Sequence, residues 1–299
     1  MRSSRSLAAA ALAALVAALV AAGCGGSGGG RQITIADKGF PENQIIAQLY
    51  AKALAAEGFD PTVKSLGSSQ IADAAIRRGD IDLYPEYTGT ALIDILGLDP
   101  DPNSARAFAT ISRAYEARGL AVLPPAPFNN DNKVACTEDA VRRYHLTTLS
   151  DLGRASPQIV YAANPEHLTR ADGLPLLRRF YGVHFKDVRS VAINLRYRPV
   201  EQGQAQCVYA FGTDPQVARD HLVLLQDDKQ IFEAATFQGF PVLNAAYLRD
   251  APASLTRTIE KVDALLTPDA VRELNAKVIL DKQDPSDVAE EFLKSRGLI

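Results

Sequence analysis

The segment Asp80–Leu92, DIDLYPEYTGTAL, concentrates polar and aromatic groups in one short turn. A strand-like apolar pattern stops at Tyr84, and a helical pattern starts beyond Thr90. Glu86 could act there as a general acid, or it could cap the following helix by binding backbone N–H groups. Tyr84 and Tyr87 could simply pack in the core, as aromatic residues at strand ends usually do. The Pro-Glu pair between the tyrosines nevertheless indicates a shaped turn.

The elements before this turn alternate as expected for a parallel sheet. A strand at residues 31–36 precedes an amphipathic helix that ends at Gly58, and a strand at residues 61–66 precedes a second helix at residues 71–78. The third strand, residues 81–84, leads into the turn. This β-α-β-α-β order predicts an α/β fold in which ligands bind beyond the carboxyl ends of the strands. The turn lies at such an end.

A second α/β unit is predicted after the proline-rich connector at residues 124–127. The strand-like segments KVAC, QIVYAA and CVYAF alternate with helical segments, and an amphipathic helical tail completes the chain. We therefore predict one lobe from residues 31–130 plus 215–299 and a second lobe from residues 131–214. The segments ADKGF and YAFGTD also follow strands, so they are expected at the same cleft.

The amino-terminal residues predict export and a lipid anchor. Basic residues precede an apolar run at residues 7–22, which is too short for a comfortable membrane span, so residues 1–23 are interpreted as a signal peptide. Small residues before Cys24 resemble a bacterial lipobox, which implies acylation of Cys24 and a flexible tether over residues 24–30. The alternative is an ordinary secretory signal cut near Ala22, which would leave Cys24 free.

Composition argues against several function classes. The chain has 32 lysines and arginines against 35 acidic residues, mixed without a basic stripe, so nucleic acid is not an expected partner. No P-loop is present, and therefore any ATP hydrolysis belongs to another subunit. The 4 histidines show neither metal spacing nor a nucleophile partner, so no metal, cofactor or catalytic residue is predicted.

Cys136 and Cys207 could form a disulfide outside the cytoplasm or remain reduced in the core.

One longer segment, GSSQIADAAIRRGDIDLYPEYTGTAL, resembles the signature of substrate-binding proteins from osmoprotectant ABC importers, the ProX/OpuBC type that binds glycine betaine, choline or carnitine. Other stretches agree in order and spacing: IADKGFPENQIIAQL, LTRADGLPLLRRFYG, YAFGTDPQVARDHLVLLQDDKQIF and FPVLN. The resemblance covers essentially the whole mature chain. It implies a two-lobed periplasmic-binding-protein fold (venus-flytrap, type II), with interlobe crossings near residues 128–132 and 211–215.

The resemblance also implies a binding site. In that family a quaternary ammonium group lies among aromatic rings, which attract cations, and a carboxylate meets cationic and hydroxyl groups. Asn132 and Phe211 stand where the family has cage tyrosines, and either Phe237 or Phe240 would supply the last ring. The expected ligand-binding residues are Lys38, Tyr87, Thr90, Asn132, Arg170, Phe211 and Phe237.

The function implied is an extracytoplasmic, lipid-anchored solute-binding protein of an ABC importer, a monomer without enzymatic activity or cofactor. It would capture a quaternary ammonium compound or zwitterion and deliver it to a permease with its ATPase subunit. One alternative keeps the fold but changes the ligand to another polar or aromatic carboxylate, because the cage has lost rings and hydroxyls. A second alternative is an extracellular enzyme that uses Glu86 or Asp37, although the sequence shows no paired carboxylate or nucleophile–base motif.

Overall fold

The computed structural model describes residues 30–234 and 237–299, in which two five-stranded mixed sheets carry flanking helices. The predicted signal peptide and the lipidation of Cys24 concern residues outside this part of the chain. The strands are β1 (Arg31–Asp37), β2 (Phe59–Ser65), β3 (Leu83–Tyr87), β4 (Leu120–Val122), β5 (Asn132–Thr137), β6 (Val160–Ala163), β7 (Asp187–Ser190), β8 (Cys207–Phe211), β9 (Leu222–Leu224) and β10 (Gly239–Asn244).

Fourteen labelled helices accompany the strands in the described residues: α1 (Pro41–Ala56), α2 (Ser69–Arg78), α3 (Ser104–Glu116), α4 (Glu138–Tyr144), α5 (Leu149–Ala155), α6 (Pro165–Thr169), α7 (Leu174–Tyr181), α8 (Arg198–Glu201), α9 (Gln216–Arg219), α10 (Ile231–Ala234), α11 (Ala245–Asp250), α12 (Ser254–Leu265), α13 (Pro268–Ile279) and α14 (Pro285–Ser295). A helical turn, Thr88–Thr90, continues directly as a π-helix, Ala91–Ile95. Within residues 30–234 and 237–299, no helix is both long and apolar enough to cross a bilayer.

The first sheet has the strand order β2-β1-β3-β10-β4. β1 runs parallel to β2 and β3, which confirms the predicted β-α-β-α-β unit, while β10 pairs antiparallel with β3 and β4. Local sequence signals determine where the helices between these strands begin and end. Pro41 occupies the first turn of α1, where a missing N–H costs nothing, and Ser68 caps α2 by accepting a 3.3 Å hydrogen bond from the Ile71 amide. Gly79 ends α2 with a φ of 78°, a left-handed conformation that favours glycine.

The second sheet has the order β7-β6-β8-β5-β9 and corrects the predicted lobe boundary. β9 pairs antiparallel with β5, so the second lobe does not end at residue 214, and the predicted crossing near residues 211–215 is wrong. The chain touches the first lobe at Thr213, enters α9 and β9 of the second lobe, and returns only before β10. A three-residue strand carries too little sequence pattern to reveal its sheet partner, which explains the error.

Cys136 and Cys207 lie opposite each other in the β5–β8 pair and form a disulfide with a Cα–Cα distance of 4.0 Å. The sequence left this pairing open, and the antiparallel register decides it. Both residues are fully buried. The bond joins positions 71 residues apart, and closing a loop of that size restricts the unfolded chain.

Tyr84 and Tyr87 separate into different environments. Tyr84 is fully buried in the core of the first lobe, as expected of a strand-end aromatic residue. Phe240 is equally buried and packs against Phe108 and Tyr115, with ring centroids 5.7 and 6.3 Å away. Phe240 is therefore a core residue. Tyr87 instead contributes its ring to a cavity.

Candidate functional site

A cavity of about 320 Å³ lies between the two lobes. Every residue predicted for the site lines it, and these are Lys38, Tyr87, Thr90, Asn132, Arg170, Phe211 and Phe237. The lining also includes Phe40 and Tyr209, which belong to the segments ADKGF and YAFGTD expected at the cleft. Further lining residues that the sequence did not indicate are chiefly Ser68, Ser69, Asn130, Asn164, Glu166, His167 and Ile193. This volume lies at the lower end of the range typical of small-molecule sites.

Strand ends and helix ends place these side chains. Lys38 and Phe40 follow β1, Tyr87 ends β3, and Phe211 ends β8. Thr90 lies in the helical turn after β3. The two sheets therefore direct the carboxyl ends of these strands toward one cleft, as the α/β pattern predicts. Arg170 arrives differently, because it is the residue that ends the short helix α6.

Aromatic rings form a continuous part of the wall. The Phe40 ring lies 5.6 Å from Phe211 and 6.0 Å from Tyr87, measured between centroids. Tyr209 packs edge-on against Phe211 at 4.9 Å, and His167 stacks on Tyr209 at 3.8 Å. Tyr209 and Phe211 are two residues apart on β8 and so share a face. This alternation is the signal in the sequence that could have identified Tyr209.

The Lys38 ammonium group is already paired within the wall. It forms a buried ion pair with Glu86 and lies 4.5 Å from the centroid of the Tyr87 ring. Burial lowers the pKa of Lys38, and the charge of Glu86 opposes this shift. Glu86 also accepts a 2.8 Å hydrogen bond from the Tyr87 amide, so it holds a backbone N–H next to the cavity. Its second oxygen, Oε2, has no partner among the described residues.

Arg170 is paired as well, and its partner connects the lobes. It binds the fully buried Asp172 through both Nε, at 2.8 Å, and a terminal nitrogen. Thr90 of the first lobe donates to Asp172 at 2.9 Å and accepts from Arg170 at 2.9 Å. Burial would raise the pKa of the Asp172 carboxyl, but the Arg170 charge and the hydrogen bonds outweigh it, so the pKa is lowered. The lobes are thus in direct contact across the cleft.

Further contacts join the lobes at the cleft margin. Asp94 accepts a 3.1 Å hydrogen bond from the Ala171 amide, and Arg179 pairs with Asp99 at 2.7 Å. Asp94 lies on the π-helix that follows Thr90, an irregularity that occurs frequently at functional sites.

Asn132 contributes to the wall mainly as a link between other groups. Its amide nitrogen donates to the Asp172 carbonyl at 2.9 Å, and its oxygen accepts from the Tyr209 hydroxyl at 2.7 Å. Asn132, which was predicted to replace a cage tyrosine, therefore holds the Asp172 backbone and the Tyr209 side chain in position. Tyr209, on the adjacent strand, supplies an aromatic ring beside it.

A second cation lies against a cavity ring. Arg196 is buried, pairs with Asp214, and lies 4.8 Å from the centroid of Phe211. The rings of Tyr87 and Phe211 therefore each lie near a cationic side chain of the protein, Lys38 and Arg196 respectively. Such a cation competes with a ligand cation for the attraction of the same π system.

His167 is a neutral member of the wall. Its pKa is lowered to about 3 by burial and by the nearby Arg170 charge. Nε2 lies 3.1 Å from the Tyr161 hydroxyl, whereas Nδ1 has no hydrogen-bond partner in the part of the chain that the structure describes. The cavity as a whole thus combines aromatic faces, two internally neutralised cations and several neutral polar groups. That combination suits a compact polar ligand, and the described residues of the lining include no nucleophile–base pair.

Comparison with known proteins identifies the family. Residues 31–295 match the family described as the substrate binding domain of an ABC-type glycine betaine transport system. The chain is 30% identical to a glycine-betaine-binding protein of Pseudomonas aeruginosa over 89% of this chain and 88% of that protein. It is 31% identical to an ergothioneine transport permease/ergothioneine binding protein of Helicobacter pylori, over 78% of this chain and 41% of that longer protein.

A solved structure described as a glycine betaine/carnitine/choline ABC transporter is similar in fold, with a TM-score of 0.69 and 27% identity over 89% of this chain and 99% of that one. This likeness supports the predicted two-lobed fold. Substrate-binding proteins of ABC importers work outside the cytoplasm and bind solutes without transforming them, so the enzyme alternative is excluded. The chain belongs to the family of substrate-binding domains of ABC-type glycine betaine transport systems.

Proposed function

We propose that the interlobe cavity binds a small zwitterion that carries a quaternary ammonium group and a carboxylate. The observation that carries the proposal is that all seven residues expected at the site, drawn from both lobes, line one cavity. Phe40, Tyr87, Phe211 and Phe237 offer ring faces to a cation that cannot donate an N–H bond. Arg170 offers N–H donors to the carboxylate, and Thr90 would redirect to it the O–H that donates to Asp172 in this structure.

Pairing of Lys38 and Arg170 with buried carboxylates favours a zwitterion over a net anion. A ligand carboxylate would share Arg170 with Asp172, so its negative charge has to be offset by the cationic end of the same ligand. A ligand with two carboxylates and no fixed cation would bring uncompensated negative charge into a desolvated site. We therefore expect glycine betaine and carnitine to bind, and simple dicarboxylates to be rejected.

A zwitterion with an additional ring is the second candidate. It is favoured by the His167–Tyr209–Phe211 cluster, in which His167 stacks on Tyr209 and Tyr209 packs edge-on against Phe211, and which extends the aromatic wall beyond the rings near Lys38. A relative's name includes ergothioneine, a betaine that carries an imidazole-derived ring. A planar ring could stack on this wall with an offset geometry.

Titration calorimetry on the purified protein tests both candidates. The panel is glycine betaine, choline, carnitine, ergothioneine and one carboxylate without a quaternary ammonium group. Saturable binding of betaine or carnitine with weaker binding of choline supports the first candidate, and selective binding of ergothioneine supports the second. Binding of the simple carboxylate alone would refute both and favour another polar or aromatic carboxylate.

Delivery to a membrane complex completes the proposal. The protein would be held at the outer face of the membrane by acylated Cys24, would act as a monomer, and would pass its ligand to a permease with an ATPase subunit. Replacing Cys24 by serine tests the anchor. The protein should then appear in the soluble fraction, and retention of the variant on membranes would contradict lipidation at this residue.

A further inference from the structure

Glu42 is a buried carboxylate that lies outside the residues lining the cavity. It is the second residue of α1 and is only 4% exposed. No lysine, arginine or histidine among residues 30–234 and 237–299 forms an ion pair with it. Burial raises its pKa, and hydrogen bonds from neighbouring side chains oppose the shift. A buried carboxylate without a cation requires several donors, and this one has four.

The donors come from distant parts of the chain. Tyr87 donates its hydroxyl to Oε1 at 2.8 Å, and Asn130 donates to the same oxygen at 2.7 Å. Thr213 donates to Oε2 at 2.5 Å, and Asn275 of α13 donates to Oε2 at 2.9 Å. Asn275 also donates to the Thr213 carbonyl at 3.2 Å. Each carboxylate oxygen therefore accepts two hydrogen bonds.

These partners connect the cavity to the lobe junction. Tyr87 and Asn130 line the cavity, whereas Glu42 and Thr213 do not. Asn130 lies where the chain passes from the first sheet to the second, and its amide donates to the Phe237 carbonyl on the return passage. Thr213 lies two residues beyond the end of β8, a strand of the second sheet.

We propose, building on the proposed function, that Glu42 is a positioning residue that couples the Tyr87 ring to the orientation of the second lobe. With the lobes in contact, Thr213 and Asn130 complete the donors around Glu42, and the carboxylate fixes the Tyr87 hydroxyl. The Tyr87 ring then presents its face, and not its hydroxyl, to the ligand. Opening the lobes carries Thr213 away and leaves a buried oxygen short of a donor, which favours the closed arrangement.

Two conservative variants and a matched control test this coupling. Glu42→Gln keeps the shape but replaces one acceptor oxygen by an amide that faces two donors. Thr213→Val keeps the shape and removes only the donating hydroxyl. Glu57→Gln makes the same substitution as the first variant at the exposed end of α1 and serves as the control. Small-angle X-ray scattering measures lobe separation, and calorimetry measures affinity for the tightest ligand of the panel above.

Both variants should shift the ligand-free protein toward a larger radius of gyration. Each should also weaken ligand binding by about tenfold, the order of one hydrogen bond to an ion. The double variant should be little weaker than Glu42→Gln alone, because both substitutions break the same link. The control should match the wild type in every measurement.

Three outcomes distinguish the hypotheses. If the wild type binds ligand and both variants bind equally well with unchanged lobe separation, the coupling is refuted and the proposed function stands. If the wild type binds no member of the panel but the variants still open the lobes, the proposed function fails and the link through Glu42 stands. If Glu42→Gln does not fold, Thr213→Val alone decides, since unchanged affinity and lobe separation in that variant would refute the coupling.

Discussion

Replacing Arg170 by alanine should separate its role in binding from its role in stability. The substitution removes one charge-assisted donor to a ligand carboxylate, an interaction of about 1.5–3 kcal/mol. Betaine and carnitine should therefore bind roughly 10- to 150-fold more weakly. Choline has no carboxylate and should lose less than about tenfold. The same change leaves Asp172 buried without its cation, which should lower the free energy of unfolding by about 3–5 kcal/mol.

Calorimetry with the three ligands, combined with urea unfolding, measures both effects. Arg179→Ala is the matched control, because Arg179 also pairs across the lobes but is 60% exposed in its ion pair with Asp99. An exposed pair contributes about 0–1 kcal/mol, so this variant should change stability little. Equal loss of betaine and choline affinity would refute the carboxylate role. Destabilisation no greater than that of the control would refute the importance of the buried Arg170–Asp172 pair.

Three further predictions concern the cavity, a buried acid and the disulfide. Tyr87→Ala should weaken quaternary ammonium binding by about 0.5–2 kcal/mol in calorimetry, and unchanged affinity would remove this ring from the site. Burial raises the pKa of Asp263 to about 8 in the folded protein. Between the ordinary aspartate pKa and about 8, Asp263 is ionised in the unfolded chain but protonated in the folded one, so the free energy of unfolding falls as the pH rises through this range. Asp263→Asn, which keeps an acceptor for the Tyr50 hydroxyl, should therefore gain in urea midpoint over the wild type between pH 5 and pH 8, and a constant difference would contradict the assignment. Reducing the Cys136–Cys207 bond should lower the free energy of unfolding by about 2–5 kcal/mol, measured with and without reductant, whereas overlapping curves would show that the bond contributes nothing.

The predicted β-α-β-α-β order of the first sheet is confirmed because local patterns control it. The turn expected at Pro85-Glu86 was wrong, since these residues lie within β3, where they pair with β10, a strand that the sequence did not indicate. Strand alternation, the proline at the start of α1 and the glycine that ends α2 are all visible over a few residues. The division of the chain between lobes was less predictable. β9 contains three residues, and its pairing with β5 depends on a contact between segments far apart in sequence.

The binding site likewise combines features that the sequence predicted with features that only folding produced. The family resemblance located seven of the residues that line the cavity, but it did not show what their side chains contact. Glu86 and Asp172 neutralise the two cations, and Arg196 lies against Phe211; none of these pairings follows from spacing. Each joins residues that only folding brings together, and the energy of a buried charge depends on that surrounding.

The amino-acid sequence by itself determined the α/β class and the β-α-β-α-β order of the first lobe, and its family resemblance indicated several of the positions that line the cleft. Only the tertiary structure decided that Cys136 and Cys207 are bonded, that Phe237 and not Phe240 lines the cavity, and that the second lobe extends through β9. The physical reason is that periodicity and turn residues act locally, whereas strand register, ion pairing and burial are set by contacts between distant segments.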